Sequence, residues 1–199
     1  MLEPFGVAHH AVSLARLNPG SNVAVFGAGA IGLCILHAAL FAGAGRTFVI
    51  DPLPYRLDFA KRLYGADRTI DDSAVDAVAF IRDATGGRGV DVVFDAAGKE
   101  RAVQAAMDVA APGGRVVLVG IPTYDFVSYN PHVARTKELT LINVRRSNQT
   151  LRTCLDLLDC GRIKLKPMVT HRFALSDIQH AFEVASEYGD GVIKAMVVG

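Results

Sequence analysis

The chain has 199 residues, 51% of them hydrophobic and 21% charged, enough to bury one sizeable domain with an appendage. Its formal charge of +1, with basic residues scattered, excludes an electrostatic footprint for nucleic acid and a polybasic membrane patch. Cys34, Cys154 and Cys160 are odd in number and form no CxxC pair, which argues against a disulfide framework or a cysteine zinc site and fits reduced thiols in a cytoplasm.

Residues 1–17 read as a helix with Pro4 in its first turn and an apolar stripe at Val7, Ala8, Ala11, Val12 and Ala15. His9 and His10 are neighbours on it; adjacent helical positions point about 100° apart, so they are read as helix histidines and not as a chelating pair. Asn18–Ser21, NPGS, breaks the helix.

The next stretch, Val23–Asp51, organises everything after it. A β-branched and aromatic run ends at Gly27, Gly27, Gly29 and Gly32 stand at GxGxxG spacing with Ala30 and Ile31 between the last two, and an apolar helical segment opens directly from them. A second apolar run, TFVI, ends in Asp51. This is strand, tight turn, helix, strand. Gly27 permits the turn, Gly29 lets backbone N–H groups approach a pyrophosphate, and Gly32 lets the helix pack closely on the strand. The helix N-terminus offers unpaired donors and a partial positive charge to the diphosphate. Asp51, about 20 residues beyond the last glycine, is placed to accept both ribose hydroxyls and to repel a 2′-phosphate, so NAD is favoured over NADP. The segment from Ala28 to Ala44 carries glycines and a histidine and reads as a buried helix, not a membrane span. No signal-peptide pattern is read, and a cytoplasmic location is expected.

The alternation continues. Residues 52–65 form a helix with Leu53, Leu57, Ala60 and Tyr64 at helical spacing, stopped by Gly65. ADRTI is a third strand; residues 72–87 are a helix capped by Asp72 or Ser73. VDVVFDAAG is the fourth strand, residues 99–114 a helix burying Val103, Ala106, Met107 and Ala110, GRVVLVGI the fifth strand and LTLINV the sixth. Such alternation means a parallel sheet covered on both faces, here an α/β doubly wound six-stranded Rossmann sheet in the order 3-2-1-4-5-6. Ligands of such sheets lie beyond the C-terminal strand ends. The candidates there are Asp95, Ala96 and Gly98, then Val119, Gly120 and Ile121, then Val144 to Arg146. Each could equally be chosen for turn geometry. Arg56 is placed to reach the adenosine or to be solvated, and Arg145 or Arg146 to contact cofactor or substrate. Residues 148–161 form a helix with a stripe of Leu151, Cys154, Leu155 and Leu158, Cys154 being core. KLKPMVTHRFAL, a helix capped by Ser176 with Ile178, Ala181, Phe182 and Ala185 on one face, and IKAMVV close the chain. His171 has no acid or nucleophile at short range. Neither Tyr55 nor Tyr64 is followed by a lysine at helical spacing, which sets aside a zinc-free reductase.

LEPFGVAHHA, VFGAGAIG, the acid of VID followed by Arg56, GGRGVDVVFDAAG, PGGRVVLVGI and PMVTHRFALSDIQHAFE together resemble the C-terminal, cofactor-domain part of zinc-dependent medium-chain alcohol and polyol dehydrogenases, in the sorbitol and threonine dehydrogenase branch. The resemblance implies that Ile31, Asp51, Arg56, Val119, Gly120, Ile121, Arg145 and Arg146 match cofactor-contacting positions, and that Glu3 matches an acid beside the catalytic zinc and substrate, with Arg146 at the substrate edge. Ser147 stands where polyol enzymes often carry an aromatic residue. The cysteine and His-Glu pair that hold the family's zinc have no counterpart here, so no metal ligands are assigned and zinc is expected only in a full-length enzyme. Residues 1–18 are then a helix leading in from a catalytic domain, 19–164 the NAD-binding Rossmann domain, and 165–199 a segment that packs on the catalytic domain. Two functions follow. One is the NAD-binding portion of an oxidoreductase acting on a small secondary alcohol or polyol, inactive alone; the other is a self-standing, non-catalytic NAD-binding module or assembly subunit. Either is expected to form a homo-oligomer, through exposed apolar surface or the edge strand LTLINV.

Overall fold

The computed structural model describes residues 1–199. A first helix, α1 (Leu2–Ala15), precedes the strand β1 (Val23–Phe26). Then follow α2 (Ala30–Phe41), β2 (Thr47–Ile50), α3 (Pro54–Tyr64), β3 (Arg68–Ile70), α4 (Ala77–Ala84) and β4 (Val90–Asp95). The second half of the sheet comes from α5 (Glu100–Val109), β5 (Ala110–Leu118), α6 (Pro131–Thr136) and β6 (Thr140–Asn143). The chain ends with α7 (Leu151–Asp159), β7 (Val169–Ala174), α8 (Ile178–Ser186) and β8 (Lys194–Val198).

Strands one to six form a parallel six-stranded sheet in the order β3-β2-β1-β4-β5-β6, as the βα alternation predicts. Alternate residues of each strand enter opposite layers. Val23, Val25, Val49, Phe94 and Val117 pack with α1, α2 and α3, whereas Ala24, Phe26, Ile50, Val93 and Val116 pack with α4 and α5. Because both faces are covered, the strands read as continuous apolar runs. The α1 stripe is buried as its periodicity predicts, with Phe5, Ala8, Ala11 and Ala15 fully enclosed against α2. Beyond the sheet, β7 and β8 pair parallel as a separate two-stranded unit. No helix is long and apolar enough to cross a membrane.

Several local expectations are corrected. Asp76, not Asp72 or Ser73, caps α4, accepting the N–H groups of Val78 and Ala79; Asp71 takes the Ser73 N–H and hydroxyl and turns the chain before the helix can begin. The fifth helix stops at Val109, and Ala110 opens β5 against Val90, so APGG lies within the strand; Gly113 has φ 71° there, and the pairing with β4 shifts register. Ser176 lies in a 3-10 turn before α8 and caps nothing; its hydroxyl donates to Asp177. On α8 only Ala181 is buried, while Ile178 and Phe182 are exposed, and on α7 Cys154 is buried while Leu151, Leu155 and Leu158 are exposed. These two amphipathic faces lack covering elements within the 199 residues.

Candidate functional site: a cleft above the glycine turn

At the end of β1 the chain turns through Gly27, whose φ of 92° suits glycine and whose added Cβ would stand 3.1 Å from the Ala97 nitrogen. A Cβ on Gly32 would collide with the Gly27 carbonyl oxygen, so this glycine lets α2 approach the turn. Gly29 differs from both. Its φ of −72° is ordinary, and the nearest atom to an added Cβ is Arg56 Nη1 at 3.8 Å. Nothing in the fold demands a glycine there. The space above it is open, and as N-cap of α2 it brings no side chain to the first-turn N–H groups.

Asp51 follows β2 and is only 3% exposed. Its Oδ2 accepts the Ala28 N–H at 2.8 Å, its Oδ1 the Leu53 N–H at 2.9 Å, and Arg56 Nη1 stands 3.5 Å from Oδ2. The carboxylate therefore braces the glycine turn and the start of α3 at once. Arg56 is flanked by two rings, with its guanidinium carbon 4.6 Å from the Tyr188 centroid and 5.8 Å from that of Tyr55. Gly27, Gly29, Asp51, Leu53, Arg56, Ala96 and Tyr188 line one cavity of about 500 Å³, closed on its far wall by the start of α4 and by Lys99, Arg101 and Ala102. An adjoining groove of about 380 Å³ runs from Ala30 past Arg56 and Tyr188 toward β8.

The remaining candidates fall elsewhere. Asp95 lies beneath the loops; its Oδ1 accepts the Ala97 and Gly98 N–H groups, and burial raises its pKa above the usual carboxylate value despite those bonds. Its backbone oxygen accepts the Val119 and Gly120 N–H groups. A Cβ on Gly98 would stand 2.8 Å from the Ile121 oxygen, and one on Gly120 would collide with Gly98, so packing between the two loops explains both glycines. Ile31 is half-buried on the first turn of α2 and Val119 is buried. Ile121 is 89% exposed, and Arg145 and Arg146, the latter at φ 53°, are exposed past β6. Glu3 is exposed on the first turn of α1. No three His, Cys, Asp or Glu side chains gather where they could hold a metal ion. Sequence reasoning missed Tyr188, Leu53 as a cavity wall, and the Lys99 and Arg101 rim. Tyr188 sits in a glycine-flanked turn with no periodic pattern, and only tertiary folding brings it to Arg56.

Residues 30–159 match the family of zinc-binding dehydrogenases. The chain is 34% identical to a sorbitol dehydrogenase of Bacillus subtilis, covering 99% of this chain and 56% of that protein. It is 38% identical to a probable D-xylulose reductase A of Arthroderma otae, over 100% of this chain and 56% of that one. Among solved structures, an Escherichia coli alcohol dehydrogenase complexed with NADH superposes with a TM-score of 0.92 at 26% identity, over 100% of this chain and 58% of that one. A Sinorhizobium meliloti zinc-binding dehydrogenase bound to NADP gives 0.91 at 30%, over 100% and 58%. The chain thus spans a little over half the length of the proteins it matches.

Proposed function

The chain belongs to the zinc-binding dehydrogenase family, and from that premise we propose that it is the NAD-binding platform of an oxidoreductase that moves hydride between the dinucleotide and a secondary alcohol or polyol. The observation that carries this reading is Gly29, a glycine the fold does not require, facing an open cradle at the start of α2. Backbone N–H groups and the helix dipole there suit a diphosphate. When bound, the dinucleotide supplies the hydride acceptor; the residues of this chain grip and orient it. An ionised carboxylate has about four lone-pair directions. Two on Asp51 hold backbone N–H groups and Arg56 Nη1 stands 3.5 Å from Oδ2, which leaves a lone pair on Oδ1 for a ribose hydroxyl. A 2′-phosphate brought to the same carboxylate meets like charge, so NAD is preferred to NADP.

Zinc does not fit the residues present. A zinc site needs three or more N, O or S ligands, and this chain gathers no such set. Activation of the alcohol is accordingly not assigned to any side chain here, and turnover of an alcohol by the chain with added zinc is expected to be undetectable. Association through the open edge of β6 belongs to the same reading, and light scattering that finds only monomer removes it.

Titration calorimetry tests the platform. NAD is expected to bind in the micromolar to millimolar range, and Gly29→Ala to weaken it by at least about tenfold while the melting temperature falls by no more than about 3 °C, an alanine N-cap costing about 0.5–1 kcal/mol more than glycine. Equal NAD affinity in the two proteins, or no binding to either, overturns the reading.

A further inference from the structure

An arginine in the adenosine cavity is, by its chemistry, a clamp for a ribose 2′-phosphate, because its planar fork pairs with phosphate bidentately. Asp51 argues for NAD, while Arg56, lining the same cavity, argues for NADP. Which of them prevails depends on whether the guanidinium is free to move.

It is held on several sides. Nη1 stands 3.5 Å from Asp51 Oδ2, and Nε donates to the Tyr55 hydroxyl at 3.3 Å. That hydroxyl in turn donates to the Val192 carbonyl at 3.2 Å, tying α3 to the turn between α8 and β8. The same turn delivers the Tyr188 ring to the face of the guanidinium. The Arg56 side chain is only 15% exposed, whereas Tyr188 is 54% exposed, so the ring is a cover with one side open to solvent. Arg56 and Tyr188 line both the adenosine cavity and the adjoining groove, forming the wall between them. The backbone of Tyr188 is left-handed, φ 55° and ψ 32°, with Asp190 at φ 48° two residues on. An aromatic residue rarely adopts that conformation, and strain of this kind persists where surrounding structure imposes it, as at ligand clamps.

We propose that Tyr188 is a positioning residue: stacked on Arg56, it parks the guanidinium against Asp51, where it cannot swing out to pair with a 2′-phosphate, and so sharpens selection of NAD over NADP. The inference rests on the platform reading above and adds to it the residue that tunes cofactor choice.

The test is calorimetric titration of the full chain and its variants with NAD and NADP. Tyr188→Phe keeps the ring and is expected to keep the ratio of the two affinities. Tyr188→Ala and Tyr188→Leu are expected to lower the NAD-over-NADP ratio by about two- to fivefold, the range of one exposed cation–π contact, chiefly through tighter NADP binding and with an unchanged melting temperature. In Tyr188→Ala combined with Arg56→Ala the gain in NADP affinity is expected to vanish, which loss of a merely structural contact would not produce. NAD binding with an unchanged ratio in both Tyr188→Ala and Tyr188→Leu, or equal weakening of both dinucleotides, overturns this inference and leaves the platform standing. Equal weakening would make Tyr188 an adenosine wall instead. Absence of any binding to the unaltered chain overturns the platform and this inference together.

Discussion

At the glycine-turn end of the cleft, Gly27 and Gly32 are fixed by backbone contact, Asp51 is braced by two N–H groups and Arg56 is stacked between rings. At the opposite end, Ile121, Arg145 and Arg146 stand in solvent with no wall facing them. Both ends lie past the C-terminal edges of one sheet, so the sheet alone does not make a pocket. What separates them is what each loop packs on. The first end is closed by α3, α4 and the turn before β8, all within this chain. At the second, no element of these residues stands opposite the exposed side chains. One half of the site is thus preorganised and the other only placed.

The hardest test of that contrast is Gly32→Ala. Its Cβ would occupy the position of the Gly27 carbonyl oxygen, and backbone cannot yield as a flexible side chain can. A loss of more than about 3 kcal/mol in urea unfolding is expected, the cost of forced overpacking. If Gly32→Ala instead unfolds like the parent, the tight turn on which that end of the cleft depends is not formed as described. Next in size is Asp51→Ala. It strands the buried Ala28 N–H, for a cost of about 1–3 kcal/mol, and removes the charge that opposes a 2′-phosphate. Denaturant melts are expected to show the first effect, and the NAD-to-NADP affinity ratio to show the second as a narrowed gap; an unchanged ratio would mean that Asp51 serves the fold alone.

Much of this arrangement is legible in the amino-acid sequence, for a physical reason. A sheet buried on both faces writes its strands as unbroken apolar runs, and GxGxxG with a distant acid marks one particular turn. Gly27, Gly29 and Asp51 could be placed from spacing alone. Competing local signals blurred the boundaries. DDSAVD offers several capping residues, and Asp76 prevails because Asp71 has already closed a turn ahead of it. APGG looks like a helix stop yet lies in β5, since one strand of a register shift can absorb the extra residues. The six-residue α6, capped by Asn130, is too short for periodicity to show. Amphipathic spacing on α7 and α8 told which residues are apolar, not what would cover them, and Tyr188 reaches Arg56 only through the tertiary fold.

The C-terminal unit joins α2 and α3 by a tether that includes a half-buried histidine. His37 Nε2 accepts the Lys164 N–H at 3.0 Å, its ring stacks on Tyr64 at 4.5 Å, and the Tyr64 hydroxyl donates to the Lys164 carbonyl at 2.8 Å. Burial, then the Lys164 charge, holds the His37 pKa below its ordinary value. A depressed histidine favours the neutral form in the fold. Its contribution is therefore complete above the unfolded value of about 6.5 and is lost as pH falls through the folded value. His9 shifts in the same direction, while the raised carboxyl of Asp95 acts oppositely at lower pH. Thermal melts near neutrality and about one pH unit below the ordinary histidine value are expected to differ more for the parent than for His37→Gln, which keeps an acceptor without titrating. His37 contributes one neutral hydrogen bond to this tether, so about 1 kcal/mol is at stake in its titration. Identical pH slopes would remove His37 from it.

The smallest effect belongs to the exposed end. Arg145 and Arg146 are exposed, and a solvated cation meeting a ligand without desolvation contributes at the low end of the about 0–1 kcal/mol of a surface ion pair, about 0.4 kcal/mol or twofold in affinity. Arg145→Ala and Arg146→Ala are each expected to leave NAD affinity in this chain within about twofold, against the tenfold expected at Gly29. A loss as large as that at Gly29 would break the contrast between the two ends: it would mean that the strand-six loop already grips the dinucleotide without any facing surface. The two-fold limit also separates charge from shape. If Arg146→Ala has no effect but Arg146→Gly, which relieves the left-handed backbone at φ 53°, stabilises the fold by about 0.5–1 kcal/mol, then position 146 matters to this chain through backbone strain and not through its charge.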